Sequence, residues 1–394
     1  MANYKDILNK KAKEWDCPGL IDRDEAESFK RLPFSSPLLN YCTYGGIPRG
    51  KITMFYGRPG GGKSTTAIDI SNNARKIFES EYQAEVLALK DRIGKGDKSA
   101  NIELDELEDR GVKKILYVDL EHSFDSRWAV KMGLGKDDID VMQPPDIPGE
   151  EILQTVQDAI CTNQLGLVII DSVPAIVTAA QLKKKLGERT VASRAGLLTE
   201  FCSKIVPKLS RYGCTLLLLN QMRENMDNPY VDKIPGGEAL MFYSSLIIRF
   251  TIGCPVDILG NDLPASAENP AGYKISSKIT KQKTAPWDRK NGSYYLMTQS
   301  GIRVDMDYGQ LAVNKYGIIR KSGAWFTICD PYTGEILCND SGNPIKVNGM
   351  AKVYDYLQTN PEYYESLKSF IVADIEGTGI DEIDEAFDNE QEGL

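Results

Sequence analysis

Gly57-Arg58-Pro59-Gly60-Gly61-Gly62-Lys63-Ser64 is the stretch on which the reading of this chain turns. It keeps the spacing G-x-x-x-x-G-K-[ST], between an apolar, strand-like run (Ile52 to Tyr56) and a helix-like run from Thr65. A triphosphate needs several donors aimed inward with little side-chain bulk between them. The glycines let backbone N–H groups wrap phosphates, and the helix start adds unpaired amides and its positive dipole end. Lys63 then supplies a point charge, and the Ser64 hydroxyl is a magnesium ligand. The expected nucleotide contacts are Gly57, Arg58, Pro59, Gly60, Gly61, Gly62, Lys63, Ser64 and Thr65. The blander alternative is a glycine-rich turn.

Three further segments share one grammar: an apolar run of β formers ends abruptly in polar residues. Ile115 to Val118 ends in Asp119 and Glu121, Leu167 to Ile170 in Asp171 and Ser172, and Leu216 to Leu219 in Asn220 and Gln221. Amphipathic helical patterns lie between them, over 150–161 and 195–212. Alternating strands and helices give a mainly parallel sheet covered on both faces, with ligands outside the carboxyl ends of its strands. The polar strand ends should therefore converge on the nucleotide.

In that setting Asp171 reads as the carboxylate that meets magnesium or its water shell. Glu121 is the candidate for activating water, against the alternative of a solvated turn acid. His122, the single histidine, reads as a hydrogen-bonded neighbour. Gln221 precedes a turn-rich loop over 222–237; it either senses the γ phosphate or caps the strand end.

Composition narrows the classes. The chain has 394 residues and is 42% hydrophobic, enough for a large core and a smaller domain. No apolar run approaches the roughly 20 residues of a membrane span. The charged N-terminus is unlike a signal peptide, so a cytoplasmic protein is expected. Eight scattered cysteines without a C-x-x-C pair speak against a disulfide framework or zinc. The net charge is −9, and the stretch 374–394 alone carries nine acids with no Lys or Arg. The body is therefore near neutral, and nucleic acid is not excluded by charge.

Residues 4–15 carry apolar groups at helical spacing on a short helix, to be docked either on its own core or on a neighbouring subunit. The helix after the P-loop is expected to end near Glu79. A charged excursion over 80–114 follows, with two short helices around Gly94-Lys95-Gly96-Asp97.

Five runs then identify a likeness: Tyr117-Val118-Asp119-Leu120-Glu121-His122, Val168-Ile169-Ile170-Asp171-Ser172-Val173, Leu219-Asn220-Gln221-Met222-Arg223, the run from Gly236-Gly237-Glu238 to Tyr243, and Ser322-Gly323-Ala324-Trp325-Phe326. In this order, over roughly residues 45–330, the chain resembles the RecA recombinases of bacteria and phages. The resemblance implies an α/β fold: a RecA-like P-loop NTPase core with a mainly parallel central sheet, a short N-terminal helical segment and a small α+β C-terminal domain. The corresponding boundaries are 1–37, 38–303 with the insertion 80–114, 304–373, and an acidic disordered tail over 374–394.

The resemblance also implies roles. Glu121 matches the catalytic glutamate, Lys63 and Ser64 the phosphate and magnesium residues, Asp171 the Walker B aspartate, and Gln221 the glutamine that couples nucleotide to DNA. Asp125 would hydrogen-bond adenine and Trp128 stack on it. Lys281 and Lys283 resemble the lysines that reach a neighbour's γ phosphate; read without the resemblance, they are an exposed strand or turn. Two loops would line DNA, one with Lys183, Lys184, Lys185, Arg189 and Arg194, the other with Met222, Arg223, Lys233, Gly236 and Gly237. The implied activity is DNA-stimulated ATP hydrolysis with Mg2+ and strand exchange between single-stranded and double-stranded DNA in a helical filament, served by single-strand-binding and loader proteins. A hexameric helicase motor and a regulatory paralogue are the rivals. The sequence departs from the bacterial pattern in its N-terminal segment, where Phe29 to Phe34 is the candidate polymerisation strand, and in the excursion 80–114; a phage origin accommodates both.

Overall fold

The computed structural model describes residues 3–14, 29–185, 193–222 and 235–376. A two-residue strand, β1 (Arg31–Leu32), pairs antiparallel with β2 (Ile47–Pro48). The candidate polymerisation stretch is therefore paired within its own chain at its centre. Gly46 permits this closeness, since a Cβ there would lie 2.1 Å from the Leu32 carbonyl oxygen.

The main sheet is built from β3 (Ile52–Gly57), β4 (Lys114–Asp119), β5 (Asp140–Met142), β6 (Leu165–Asp171), β7 (Thr215–Gln221), β8 (Leu246–Val256), β9 (Gly272–Gln282), β10 (Asn291–Met297) and β11 (Gly301–Ile302). Among the described residues its order is β11-β10-β9-β8-β3-β7-β6-β4-β5. The run from β8 to β5 is parallel, and β9, β10 and β11 extend it antiparallel. The parallel part is the architecture expected from the sequence. The antiparallel extension was not read there.

Every residue of β3 and β6 is buried, as strands covered on both faces require. Their side chains divide by alternation. Phe55, Tyr117, Leu167, Ile169, Leu217 and Leu219 pack beneath the helix Lys63–Gly94 through Ala67, Ile70 and Phe78. Met54, Val118, Val168, Ile170, Leu216 and Leu218 pack on the helices Gly149–Cys161 and Ser193–Tyr212.

The helix after the P-loop does not end near Glu79. It runs unbroken for 32 residues to Gly94, and a second helix, Ser99–Arg110, folds back on it. Residues 80–93 contain no glycine or proline to stop it, and their apolar positions find a partner. Leu89, Ala100 and Leu107 form a small separate core with Tyr82, Val86, Ile93 and Leu104. Arg92 closes the hairpin by donating to Asp97 and Glu103. At 1.5 Å per residue the first helix is about 48 Å long, against about 20 Å for β3, so the hairpin projects beyond the amino ends of the parallel strands.

The helix Val304–Asn314, a three-stranded sheet of β12 (Ile319–Ser322), β13 (Trp325–Ile328) and β14 (Lys346–Asn348), and the helices Met350–Thr359 and Pro361–Glu376 enclose a further core. Leu311, Ile319, Phe326, Val353, Leu357, Leu367 and Ile371 fill it, and Leu38 joins it from the helix Pro37–Thr43. The helix Tyr4–Glu14 leaves Tyr4, Ile7 and Leu8 exposed. Of the two dockings open to this helix, the one on its own core is not made by these three residues, although Ala12 is buried. No helix among the described residues is long and apolar enough to cross a membrane.

Because the hairpin has its own core, it should open by itself. Leu107→Ala should cost about 2–4 kcal/mol locally, read as faster amide exchange over the hairpin with β3, β6 and β7 still protected. Equal loss across the sheet would make hairpin and sheet one cooperative unit.

Candidate functional site

The strand ends predicted to converge do converge. Gly57 closes β3 beside Gln221 of β7, and Asp119 closes β4 beside Asp171 of β6. The P-loop shape is fixed by close approach and left-handed backbone: a Cβ on Gly57 would lie 2.2 Å from the Phe250 carbonyl oxygen, and Gly60 and Gly62 have φ of 76° and 82°. Only glycine fits the first, and glycine best tolerates the others. Lys63, 8% exposed, folds back over the loop, its Nζ donating to the carbonyls of Gly57 (3.1 Å) and Arg58 (2.9 Å). Burial lowers its pKa, opposed by the charges of Asp171 and Glu121. An anionic phosphate would return to this ammonium the charge stabilisation that burial takes away.

Asp171 is buried, and its Oδ2 accepts from Ser64 Oγ (2.8 Å) and Tyr117 OH (2.6 Å). Burial raises its pKa, against these hydrogen bonds. The Asp171–Ser172 peptide is cis. The expected magnesium residues, Ser64 and Asp171, thus bring two oxygens into contact, and a hard cation suits this donor pair. Glu121 Oε1 accepts from Ser172 Oγ and from Gln221 Nε2 (2.5 Å). Met222, next to Gln221, donates its N–H to the Gly57 carbonyl at 3.1 Å. Asn220 Nδ2 reaches the Pro235 carbonyl at 2.8 Å and so draws together the two ends of the segment between them. Gly236 and Gly237 follow with φ of 102° and 81°.

The turn carrying Glu121 is itself anchored. Asp119 is buried and accepts from the N–H of Ser123 (3.1 Å), the N–H of Phe124 (2.9 Å) and Gln143 Nε2 (2.8 Å). Burial would raise its pKa, but these donors outweigh it and hold the carboxyl low. Gln143, just past β5, was not singled out in the sequence; its one signal is its place beyond a strand end. Asp125 caps the helix Ser126–Lys131, its Oδ1 accepting from the N–H groups of Arg127 (2.9 Å) and Trp128 (3.2 Å). It is thus a helix cap whatever else it binds. Trp128 is half-buried against the core layer under the P-loop helix.

Lys281 and Lys283 lie elsewhere. Gln282 pairs with Leu246, and Leu246 lies beside Thr53 at the start of β3. They sit at the amino edge of the sheet, about 13 Å of strand away from Gly57. Lys281 Nζ donates to the carbonyls of Met241 and Phe242 (2.8 Å), and Lys283 Nζ to that of Phe242 at 3.0 Å.

Lys183, Lys184 and Lys185 are exposed after the short helix Ala179–Leu182. Arg194 Nη1 instead donates to the Pro174 carbonyl at 2.5 Å, tying the start of the helix Ser193–Tyr212 to the turn after Asp171. Met222 is partly buried against the core. Arg189, Arg223 and Lys233 lie outside the described residues, as does the tail beyond 376.

The sequence model of the RecA N-terminal domain family matches residues 100–303, just over half of the 394-residue chain. The chain is 27% identical over 330 residues to protein RecA of Rhodopirellula baltica, covering 83% of this chain and 72% of that one. Against protein RecA of Clostridium tetani it is 27% identical over 329 residues (83% and 77%). Against that of Bifidobacterium breve it is 28% identical over 334 residues (84% and 70%). The family match opens inside the second hairpin helix and leaves the P-loop before it.

The docked lysines can be checked directly. Burial, and then the charge and hydrogen bonding of Lys283, bring Lys281 down to about 8. After reductive methylation with 13C-formaldehyde, one lysine resonance should titrate near pH 8 and vanish in Lys281→Arg. If every resonance titrates at ordinary lysine values, Lys281 is not held in this way.

Proposed function

This chain belongs to the RecA family of recombinases, and on that premise we propose that it assembles with ATP into a helical filament on single-stranded DNA, pairs that strand with homologous double-stranded DNA, and uses hydrolysis for release. The observation that carries this reading is the hydrogen bond from Gln221 to Glu121. The proposed general base and the root of a proposed DNA loop are one side chain apart.

In the proposed reaction Glu121 accepts the proton of the attacking water, the P-loop amides and Lys63 hold the phosphates, and Asp125 and Trp128 hold the base. Magnesium, held by Ser64 and Asp171, would offset charge on the phosphates. Gln221 would exchange Glu121 for the γ phosphate and carry that change through Met222 into the loop. Lys183, Lys184, Lys185 and Arg189 would meet DNA phosphates on one side, while Met222, Arg223, Lys233, Gly236 and Gly237 line the other. Arg194, bonded to the Pro174 carbonyl, sets the start of its helix and is better placed to position the first loop than to project from it.

Assembly follows from what one subunit lacks. Lys281 and Lys283 lie at the sheet edge opposite the P-loop, so they would serve a neighbour's phosphates. The exposed Tyr4, Ile7 and Leu8 of the N-terminal helix offer an apolar stripe for the same contact. Such a filament would work in the cytoplasm with proteins that coat single strands or load it.

ATP turnover should rise cooperatively with single-stranded DNA and protein concentration, and Gln221→Ala should keep nucleotide binding while losing most of that stimulation. Equal stimulation of variant and parent would remove Gln221 from the coupling. Glu121→Ala should bind ATP and remain on DNA with turnover reduced by about 100-fold or more. Turnover at the parent rate would exclude Glu121 as the base.

A further inference from the structure

Tyr117 carries a hydroxyl where the core asks for none. It lies on β4 in register with Ile169 and is 2% exposed, within the apolar layer that contains Ile115, Leu167 and Ile169. A phenylalanine would fill nearly the same volume without a polar atom to satisfy. Here the hydroxyl donates to Asp171 Oδ2 at 2.6 Å, the oxygen that Ser64 Oγ reaches at 2.8 Å. The ring is fixed from the other side by Phe124, edge to face at 4.9 Å, and the Phe124 N–H is bonded to Asp119. The phenol is therefore held rigidly from the anchored turn and aimed at one carboxylate oxygen.

We propose that Tyr117 is a positioning residue for the cation site, its hydroxyl holding the Asp171 carboxylate in the orientation that Ser64 and a divalent cation require. This rests on the reading of the site as one for ATP and magnesium. Ser64 Oγ is itself an expected ligand, and a hydroxyl that meets a cation through a lone pair still has its O–H to donate to Asp171. Tyr117 is not an expected ligand, and its bond to Oδ2 has no reason to break when a cation arrives. A carboxylate with a fixed outer partner keeps its orientation whether or not the cation is present, and removing such partners weakens metal sites.

The test is Tyr117→Phe in the full chain, read by fluorescence of a ribose-labelled ATP analogue without DNA. The magnesium concentration for half-maximal analogue binding should rise about ten-fold, while affinity at saturating magnesium stays close to the parent's. Phe78→Leu loosens the same core layer away from the site and should leave the magnesium midpoint unchanged, with thermal melting of both nucleotide-free variants recording the loss of packing. An unchanged or lower midpoint in Tyr117→Phe overturns the proposal, as does an equal shift in Phe78→Leu. A parent chain that binds the analogue without regard to magnesium overturns the cation reading of the site and the proposal with it, and one that does not bind the analogue at all overturns the nucleotide reading as well.

Discussion

A carboxylate at the end of a wholly buried strand is costly unless donors meet it, and Asp171 is that carboxylate. β6 brings it to the carboxyl edge of the sheet, and its partners come from a neighbouring strand and from the P-loop helix. Ser64 comes from the first turn of that helix and Tyr117 from β4. The register of β4 against β6 and the seat of the P-loop helix on the sheet are both tied to this one oxygen. The same register sets Asp119 beside Asp171, and Asp119 in turn anchors the turn that presents Glu121. The arrangement is thus close-packed before any ligand enters, which is what electrostatic preorganisation demands.

The sheet divides into two halves with different duties. The parallel half supplies the P-loop, Glu121, Asp171 and Gln221, all at carboxyl ends. The antiparallel half supplies Lys281 and Lys283 at the opposite edge, where no group of the same subunit's P-loop lies. A strand that reverses direction beside β8 necessarily finishes at the amino edge. Topology therefore separates the lysines from the P-loop of their own subunit, and in the proposed filament the separation becomes useful.

What was legible in the sequence was local. The P-loop and the polar ends of β4, β6 and β7 could be read because the apolar runs are continuous and the residues that matter stand next to them. The parallel core followed from alternation of strands with helices. The ladder of β8, β9 and β10 went unread because its pairing is set by partners tens of residues apart, and its half-exposed strands give a weak pattern. The turn at 94–97 and the helix after it were expected, but the start of the hairpin was misjudged for another reason. A change to highly charged composition after Glu79 looked like a boundary, yet no residue there breaks a helix, and the helix continues to Gly94. At the site, Asp125 caps a helix whatever else it binds, and the Tyr117 hydroxyl reaches Asp171 across the sheet. Both are partnerships that no spacing announces.

The ladder of β8, β9 and β10 also shapes the P-loop that it does not directly serve. The Phe250 carbonyl of β8 limits residue 57 to glycine, and Tyr294 OH of β10 meets Thr66 Oγ1 at 2.7 Å, which donates to the Gly62 carbonyl at 2.8 Å. β9, which carries Lys281 next to its last residue, lies between these two buttresses. In the proposed filament, a nucleotide settling into its own P-loop would press on the ladder whose end grips the next subunit's phosphates. Coupling of that kind is reciprocal by thermodynamic necessity: if occupancy strengthens the grip, the grip strengthens occupancy by the same factor. Cooperative assembly then needs no separate relay, because one three-stranded ladder touches both sites.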